Sequence, residues 1–197
     1  MRYLITPTLL NSWSYYLNSE EPDDASILAT IRKAKMDPTP AMEQGNKFEA
    51  DVFAWVDGYR CELMNDYWAC VEEIAAKVTG GVRQLRVSKE IVVDGQAYLL
   101  YGKVDHVAGP RGSDLKWTGN YEFPKFKDTA QHPVYLECLP NVPMFQYLIS
   151  DGRRVYEERY FRQECPPAAQ LVRDMIGHLR QWPEAWTEFD QNWRAYE

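Results

Sequence analysis

Apolar residues recur at three- and four-residue intervals over several stretches of the chain, and each such stretch predicts an amphipathic helix. One begins at Glu43 and stops at the turn formers Asp57-Gly58, and a second runs from Glu62 to Val78. Near the start, Thr6-Pro7-Thr8 is a capping signature ahead of an apolar stripe, which predicts a short helix. Another helix is expected from Ala25 to Lys35. The first part of the chain is therefore expected to be helical.

Runs rich in valine, isoleucine and aromatic residues predict strands in the middle and later parts of the chain. Two-residue turns at Asp94-Gly95 and Asp151-Gly152 join neighbouring runs into hairpins. The predicted strands are residues 86–93, 96–107, 113–117, 144–149 and 155–161. Strands and helices are mixed along the chain, which favours an α+β class.

Two further helices are predicted after the third strand. Asp128-Thr129 opens one that runs through Gln131 and Tyr135, although Pro133 makes its start imprecise. Pro166-Pro167 begins the other, which ends at a later proline. The aromatic residues near the C-terminus are expected in the core or at an oligomer contact rather than as a nucleobase platform: Trp182, Trp186, Phe189 and Trp193. We expect one domain over 1–197, with helical segments 1–42 and 166–197 packed on it.

Composition narrows the class of protein. At 197 residues and 45% hydrophobic content, the chain can bury a core. It has neither a basic segment followed by an apolar run nor a stretch long enough for a bilayer, so we expect a cytoplasmic protein with no membrane partner. The four cysteines have no metal-ligand spacing, which argues against zinc and against a disulfide framework. A net charge of −7 disfavours nucleic-acid binding over the whole surface but permits a local basic groove.

The candidate chemistry centres on residues 102–116. Asp105 lies in one short β-type run, and Asp114 and Lys116 lie in the next, two apart and therefore on one face, with Leu115 on the other. If the turn formers at 109–112 fold the runs together, Asp105 comes alongside that pair. Neighbouring carboxylates repel one another unless a cation lies between them, and oxygen ligands suit Mg²⁺ or Mn²⁺. The alternative is a hairpin whose aspartate and lysine are simply solvated.

A third acid, Glu49, lies within the helix that begins at Glu43. Val52, Phe53 and Val56 follow it at the third, fourth and seventh positions, so its side chain shares an apolar face. A carboxylate in such surroundings is costly to bury without a partner, and a metal ion would supply one. The alternative is a glutamate at the edge of an amphipathic helix.

Two other features lie near these acids in the sequence. Residues 123–127, Phe-Pro-Lys-Phe-Lys, form a basic and aromatic loop of a kind that can contact a phosphate chain and a base, or else is simply solvated. Gln131 and Tyr135 follow four residues apart and therefore share one helix face.

Four short motifs occur in order along the chain: Gln-Gly-x-x-Phe-Glu at 44–49, Gly-x-x-Asp at 102–105, Asp-x-Lys at 114–116 and Gln-x-x-x-Tyr at 131–135. Together they resemble the PD-(D/E)XK nuclease superfamily, and within it the RecB-like branch that includes phage-type exonucleases. The resemblance covers a little under half of the chain. It implies a restriction-endonuclease-like core, with a central mixed β-sheet flanked by helices, and Mg²⁺- or Mn²⁺-dependent cleavage of DNA.

The resemblance also implies roles for individual residues. Glu49, Asp105, Asp114 and the Leu115 carbonyl would hold the metal ion. Lys116 would position and activate the attacking water, and Gln131 and Tyr135 would belong to a supporting helix. Members of this branch with an iron–sulfur cluster carry cysteines near the C-terminus that this chain lacks, so we expect no such cluster.

The sequence therefore predicts a metal-dependent deoxyribonuclease, and an exonuclease of phage-type recombination, replication or repair in particular. Loading onto DNA would then require a partner protein from that pathway or a homo-oligomer. Two other hypotheses stay open. One is a catalytically inactive nuclease-fold module that binds DNA or protein, and the other is a site-specific endonuclease, for which no base-reading element is evident.

Overall fold

The computed structural model describes residues 1–195 and arranges them as a seven-stranded sheet flanked by helices. The strands are β1 (Arg2–Ile5), β2 (Val82–Val93), β3 (Gln96–Ala108), β4 (Arg111–Trp117), β5 (Met144–Ser150), β6 (Val155–Phe161) and β7 (Arg194–Ala195). The helices are α1 (Pro7–Asn18), α2 (Asp24–Ile31), α3 (Pro40–Val56), α4 (Asp66–Lys77), α5 (Gln131–Cys138), α6 (Ala168–Leu179) and α7 (Pro183–Asn192). Within residues 1–195, none of the helices is both long and apolar enough to cross a bilayer. The last two residues of the predicted domain lie outside the described residues.

The sheet is mixed, which confirms the predicted α+β class. Its strand order is β6-β5-β4-β3-β1-β7, and β2 pairs with β3 off this path. β1 runs parallel to β3 and β4 runs parallel to β5, whereas the other neighbouring strands are antiparallel. The antiparallel β2–β3 and β5–β6 pairs are the two hairpins that the two-residue turns predicted.

Two central strands separate inside this sheet. β3 and β4 pair only between residues 106–108 and 111–113. Past that point β4 continues beside β5 as far as Trp117, while β3 pairs with β1 through residues 97–100. We call the opening between the two strands, which begins at Asp105 and Asp114, the strand fork.

Helix α5 packs against β3 beside the fork. The Tyr135 hydroxyl donates a hydrogen bond of 2.9 Å to the carbonyl oxygen of Lys103 on β3. A Cβ atom added to Gly102 would lie 2.4 Å from Cε1 of the Tyr135 ring, which is closer than real carbon atoms approach. The start of α5 is also tied to α1, because the Ala130 N–H donates a 2.6 Å hydrogen bond to Asn11 Oδ1. The Gly-x-x-Asp glycine therefore makes room for the tyrosine.

Three apolar clusters hold the helices on the sheet. One joins α3 and α4 to Leu115 and Leu148, and a second joins α5 to Tyr147 and Ile149 of β5. Because successive strand residues point to opposite faces, these clusters lie on the two sides of the sheet. The third cluster joins α1, α2, α6 and α7 to β1. Leu115 thus packs in the layer opposite Asp114 and Lys116, as the alternation predicted.

Several predicted boundaries differ from those in the structure. Helix α2 ends at Ile31 rather than Lys35, since Lys33 has a left-handed backbone with φ of 55°. Helix α4 begins at Asp66, where the Asn65 side chain caps it by accepting a 3.0 Å hydrogen bond from the Trp68 N–H. Leu63, an apolar residue inside the helix predicted over 62–78, lies before the first turn of α4 and is 81% exposed, so the predicted start of this helix was wrong.

The two ends of the described chain meet in one layer. β1 and β7, neither of which the sequence pattern predicted, pair with each other. The Trp193 indole N–H donates a 2.7 Å hydrogen bond to the Ile31 carbonyl, and Phe189 and Trp193 are buried. The interpretation of the aromatic stretch as core rather than as a nucleobase platform is confirmed for these two residues.

The close approach at Gly102 leads to a stability prediction. We expect Gly102→Ala to lower the free energy of unfolding by about 1–3 kcal/mol, because the added methyl group must displace the Tyr135 ring from a packed site. Chemical denaturation measures this directly.

The matched control is Gly45→Ala in α3, where nothing lies within 4 Å of an added Cβ. That variant should be unchanged or more stable by about 0.5–1 kcal/mol, since alanine favours a helix interior. Equal effects of the two substitutions would contradict the packing of Tyr135 on Gly102.

Candidate functional site

Asp105 lies where β3 and β4 part. Its side chain is 8% exposed, and its Oδ2 atom accepts a 2.8 Å hydrogen bond from the backbone N–H of Leu115 on β4. The carboxylate therefore takes the place of a backbone acceptor at the point where the ladder between the two strands has stopped. This bond fixes Asp105 relative to the strand that carries the other candidate residues.

Asp114 is 3% exposed and faces two donors. Its Oδ1 atom accepts a 2.6 Å hydrogen bond from the Gln131 side-chain amide, and the Lys116 ammonium lies 2.6 Å from Oδ2. Oδ2 is itself buried. Among the described residues no group donates a hydrogen bond to it in good geometry, and the Lys116 ammonium meets it as an ion pair.

Glu49 is linked to Asp105 through a residue that the sequence analysis did not single out. The Gln84 side-chain amide donates to Glu49 Oε1 and, at 3.2 Å, to Asp105 Oδ1. Gln84 lies in β2, opposite Asp105, because its neighbours Arg83 and Leu85 pair with residues 106 and 104. The predicted strand began at residue 86 and so excluded it, and the residue type alone carries no signal.

Burial and nearby negative charge make Asp105 and Glu49 reluctant to ionise. Burial raises the pKa of the Asp105 carboxyl, and the nearby charges of Asp114 and Glu49 raise it further. Burial likewise raises the pKa of Glu49, followed by the charge of Asp114, while Lys103 and Lys116 oppose the shift. The three predicted acids therefore lie close enough to act on one another electrostatically.

The two predicted residues of α5 have different surroundings. Gln131 contacts Asp114 directly, so it is part of the acidic site. Tyr135 is buried and donates to the backbone of β3, and its hydroxyl lies 3.5 Å from the Gln131 amide nitrogen. Burial raises the pKa of Tyr135 to about 12, so its phenol keeps its proton at neutral pH. Tyr135 therefore supports the site through its hydrogen bond to β3 and its packing, not through a direct bond to one of the acids.

The basic and aromatic loop is fixed to the sheet by a buried glutamate. Glu158 on β6 is 1% exposed and accepts hydrogen bonds from the backbone N–H groups of Lys125, at 2.7 Å, and Phe126, at 3.0 Å. The Phe126 ring stacks on Tyr147 at 4.8 Å. These contacts hold the loop in one place despite its lack of regular structure.

This loop lies beside Lys116. The Lys116 ammonium is 5.9 Å from the centre of the Phe126 ring, whereas Phe123, at the tip of the loop, is 71% exposed. Lys125 is occupied by internal hydrogen bonds of 2.6 Å to Thr118 Oγ1 and to the Asn120 carbonyl. The loop thus brings the Phe126 ring close to Lys116 and leaves the Phe123 ring exposed.

The three acids do not form a ready-made set of metal ligands. Over residues 1–195, no set of three His, Cys, Asp or Glu side chains is placed so that it could hold one. The acids instead face donors of the protein, namely the amides of Gln84 and Gln131 and the Leu115 N–H. Their chemistry still fits a hard divalent cation, because all candidate ligands are oxygens and the buried Asp114 Oδ2 accepts no hydrogen bond from the described residues.

Comparison with known proteins establishes the fold and not the function. No family model matches this chain, and no curated protein matches it. Among solved structures, one described as "Crystal structure of SSO0001" is 15% identical and superposes with a TM-score of 0.57, covering 90% of this chain and 77% of that one. A likeness at this identity supports the mixed α/β architecture alone.

The raised pKa of Asp105 gives a prediction for stability against pH. Above the ordinary aspartate value of 3.8, the unfolded chain releases this proton while the folded protein still holds it. Because the folded state binds more protons, the contribution of Asp105 to stability should fall as pH rises through this range. Asp105→Asn removes the titration, so wild type should lose stability relative to this variant from about pH 4.5 to about pH 7.5.

The measured quantity is the difference in free energy of unfolding between wild type and Asp105→Asn at each pH, obtained by urea denaturation in chelator. Other titrating groups are present in both proteins, so their contributions cancel in this difference. One example is His132: burial lowers its pKa to about 4, which makes its contribution to the stability of both proteins rise with pH over part of the range where the contribution of Asp105 falls. Asp174→Asn, at an exposed position, is the control and should follow wild type. A difference between wild type and Asp105→Asn that stays constant or grows in favour of wild type would contradict the assignment.

Proposed function

We propose that this protein hydrolyses phosphodiester bonds of DNA with Mg²⁺ or Mn²⁺, and that it acts as an exonuclease. The observation that carries the proposal is the convergence of Asp105, Asp114 and Lys116 at the strand fork, where the buried Asp114 Oδ2 is paired with the Lys116 ammonium and accepts no hydrogen bond from the described residues. The resemblance of the four sequence motifs to PD-(D/E)XK nucleases supports the same conclusion.

Some residues at the fork would bind the metal ion, and others orient those ligands by hydrogen bonds. Asp105, Asp114 and the Leu115 carbonyl would hold the cation, with Glu49 as the further acid. The cation would supply Lewis-acid polarisation of a phosphoryl oxygen. Asp105 is oriented by the Leu115 N–H and Asp114 by the Gln131 amide, so neither carboxylate must be ordered when substrate arrives.

Lys116 is the group of this chain best suited to act on the reacting atoms. Its ammonium lies on the same strand face as Asp114 and is only partly exposed. There it can hold a water for attack on phosphorus and stabilise the charge that develops as the phosphorus–oxygen bond to the leaving strand breaks. A fixed positive charge of this kind acts mainly in the transition state.

The loop at 123–127 supports a nucleic-acid substrate rather than a small phosphate ester. An exposed phenylalanine ring offers a face on which a base can stack, and stacking tolerates any sequence. Glu158 fixes Lys125 and Phe126 of this loop, and Phe126 lies beside Lys116, so we expect a strand bound at the fork to reach the exposed ring of the same loop. A net charge of −7 limits nucleic-acid contacts to such a local surface.

Removal of one carboxylate gives the main test. We expect Asp114→Asn to reduce DNA cleavage by at least a thousandfold, because the buried oxygen that a cation would use is replaced by an amide. The measurement is cleavage of end-labelled linear DNA and of closed circular DNA with Mg²⁺, with Mn²⁺ and with chelator. Lys116→Ala should lower turnover by a similar order while cation binding persists.

Asp174→Asn serves as the matched control and should retain wild-type activity. Undiminished cleavage by the Asp114→Asn protein would refute this active site. If wild type binds the cation yet cuts none of these DNAs, the protein is instead an inactive module of the same fold. Closed circular DNA has no end, so its cleavage would show that the protein is an endonuclease and not an exonuclease.

Phe123→Ala tests the proposed strand contact. Loss of one stacked base costs about 1–3 kcal/mol, so we expect KM for DNA to rise roughly tenfold with kcat nearly unchanged. Melting temperature should not change, because the ring is exposed. Tyr59→Ala, at another exposed aromatic residue, should leave KM unaltered. An unchanged KM in Phe123→Ala would exclude the loop from substrate binding.

A further inference from the structure

Gln84 connects two acids that would otherwise repel one another. Its side-chain nitrogen donates both to Glu49 Oε1 and, at 3.2 Å, to Asp105 Oδ1. A primary amide nitrogen carries two hydrogens, so one group can serve both carboxylates. Glu49 comes from α3 and Asp105 from β3, and this bridge joins the two elements across the site.

The backbone of Gln84 is unusual for its position. Its φ is 51°, a left-handed value, although the residues on either side continue the antiparallel pairing of β2 with β3. A residue with a Cβ atom adopts this conformation at a cost of about 1–2 kcal/mol. Such a conformation persists only where the surroundings impose it, and it is frequent at functional sites. Here the contacts that hold the amide lie at the two carboxylates.

A divalent cation that bridged these two acids would need the place that the amide occupies. The Gln84 nitrogen lies within hydrogen-bond reach of both Glu49 Oε1 and Asp105 Oδ1, so a cation between the same two oxygens would have to displace it. The amide also explains why these carboxylates, both poorly solvated, can lie close together without a cation.

We propose that Gln84 is a positioning residue that takes the place of the cation in the metal-free protein, so that cation binding is an exchange in which the amide leaves the two carboxylates. The inference rests on the proposed metal centre and adds a determinant of its affinity. The amide keeps the acids in place before the cation arrives. The amide also lowers the apparent affinity of the site for the cation, because its hydrogen bonds to the two acids must be broken before the cation can bind.

The exchange predicts opposite effects of Gln84→Ala with and without cation. In chelator the variant should melt at a lower temperature than wild type, because the buried Asp105 and the half-buried Glu49 lose their shared donor. In a Mn²⁺ titration followed by melting temperature and by calorimetry, the midpoint should fall roughly tenfold, since about 1.4 kcal/mol of competing hydrogen bonding has been removed. Neither readout depends on activity.

Two variants separate the amide from other effects. Gln84→Gly removes the same amide, but glycine adopts the left-handed backbone without strain. Its Mn²⁺ midpoint should therefore fall as in Gln84→Ala, whereas its melting temperature in chelator should be higher than that of Gln84→Ala. Gln170→Ala removes a 2.7 Å amide bond to Asp174 on an exposed helix face and should match wild type throughout. A Gln84→Ala protein that folds only with Mn²⁺ would be the extreme form of the expected result.

Each other outcome overturns the inference in a recognisable way. A midpoint that rises in Gln84→Ala and Gln84→Gly would make the amide oxygen a ligand of the cation. An unchanged midpoint would leave Gln84 a structural residue only. If wild type neither shifts in melting temperature nor releases heat with Mn²⁺ or Mg²⁺, the metal centre itself fails, which separates this failure from that of the exchange.

Discussion

The separation of β3 from β4 is the constraint on which the candidate site depends. A strand that leaves its neighbour exposes backbone groups that must find other partners in a buried place. Here a carboxylate, Asp105, accepts the Leu115 N–H, and a phenol, Tyr135, donates to the Lys103 carbonyl. The same side chains that satisfy the backbone also define a space lined by acids. Site and fold therefore cannot be altered independently at this point.

The acids at the fork would be unfavourable without internal donors. Asp105 and Asp114 are buried, and Glu49 is half-buried beside them, so each ionised carboxylate raises the cost of ionising the next. Amides from Gln84 and Gln131 offset part of this cost with hydrogen bonds that carry no charge. Because these donors are neutral, they do not cancel the mutual repulsion of the acids. Under the proposed function, a divalent cation would relieve that repulsion.

Sequence periodicity predicted much of this arrangement, for identifiable reasons. The strand alternation placed Leu115 opposite Asp114 and Lys116, and the structure agrees, because a two-residue period is fixed by backbone geometry. Gln84 was not predicted: its role depends on α3 and β3 meeting at one point, which no local pattern encodes. The start of α4 was predicted too early for a related reason. The Asn65 side chain caps the helix two residues after Leu63, so Leu63 lies outside the helix and is exposed although it continues the apolar pattern. Strand β1 was missed because four residues are too few to show a period.

The position of β1 between β3 and β7 has a consequence for how the chain folds. β1 is made first, yet its partners are residues 97–100 on one side and residues 194 and 195 on the other. During synthesis β1 has no pairing partner until both of these segments have been made. Pairing across such a sequence separation costs loop-closure entropy. High contact order of this kind slows folding, and an unpaired strand edge is open to association with other chains meanwhile. The nascent protein is therefore most exposed to misassembly at its first strand, far in sequence from the residues that would carry its chemistry.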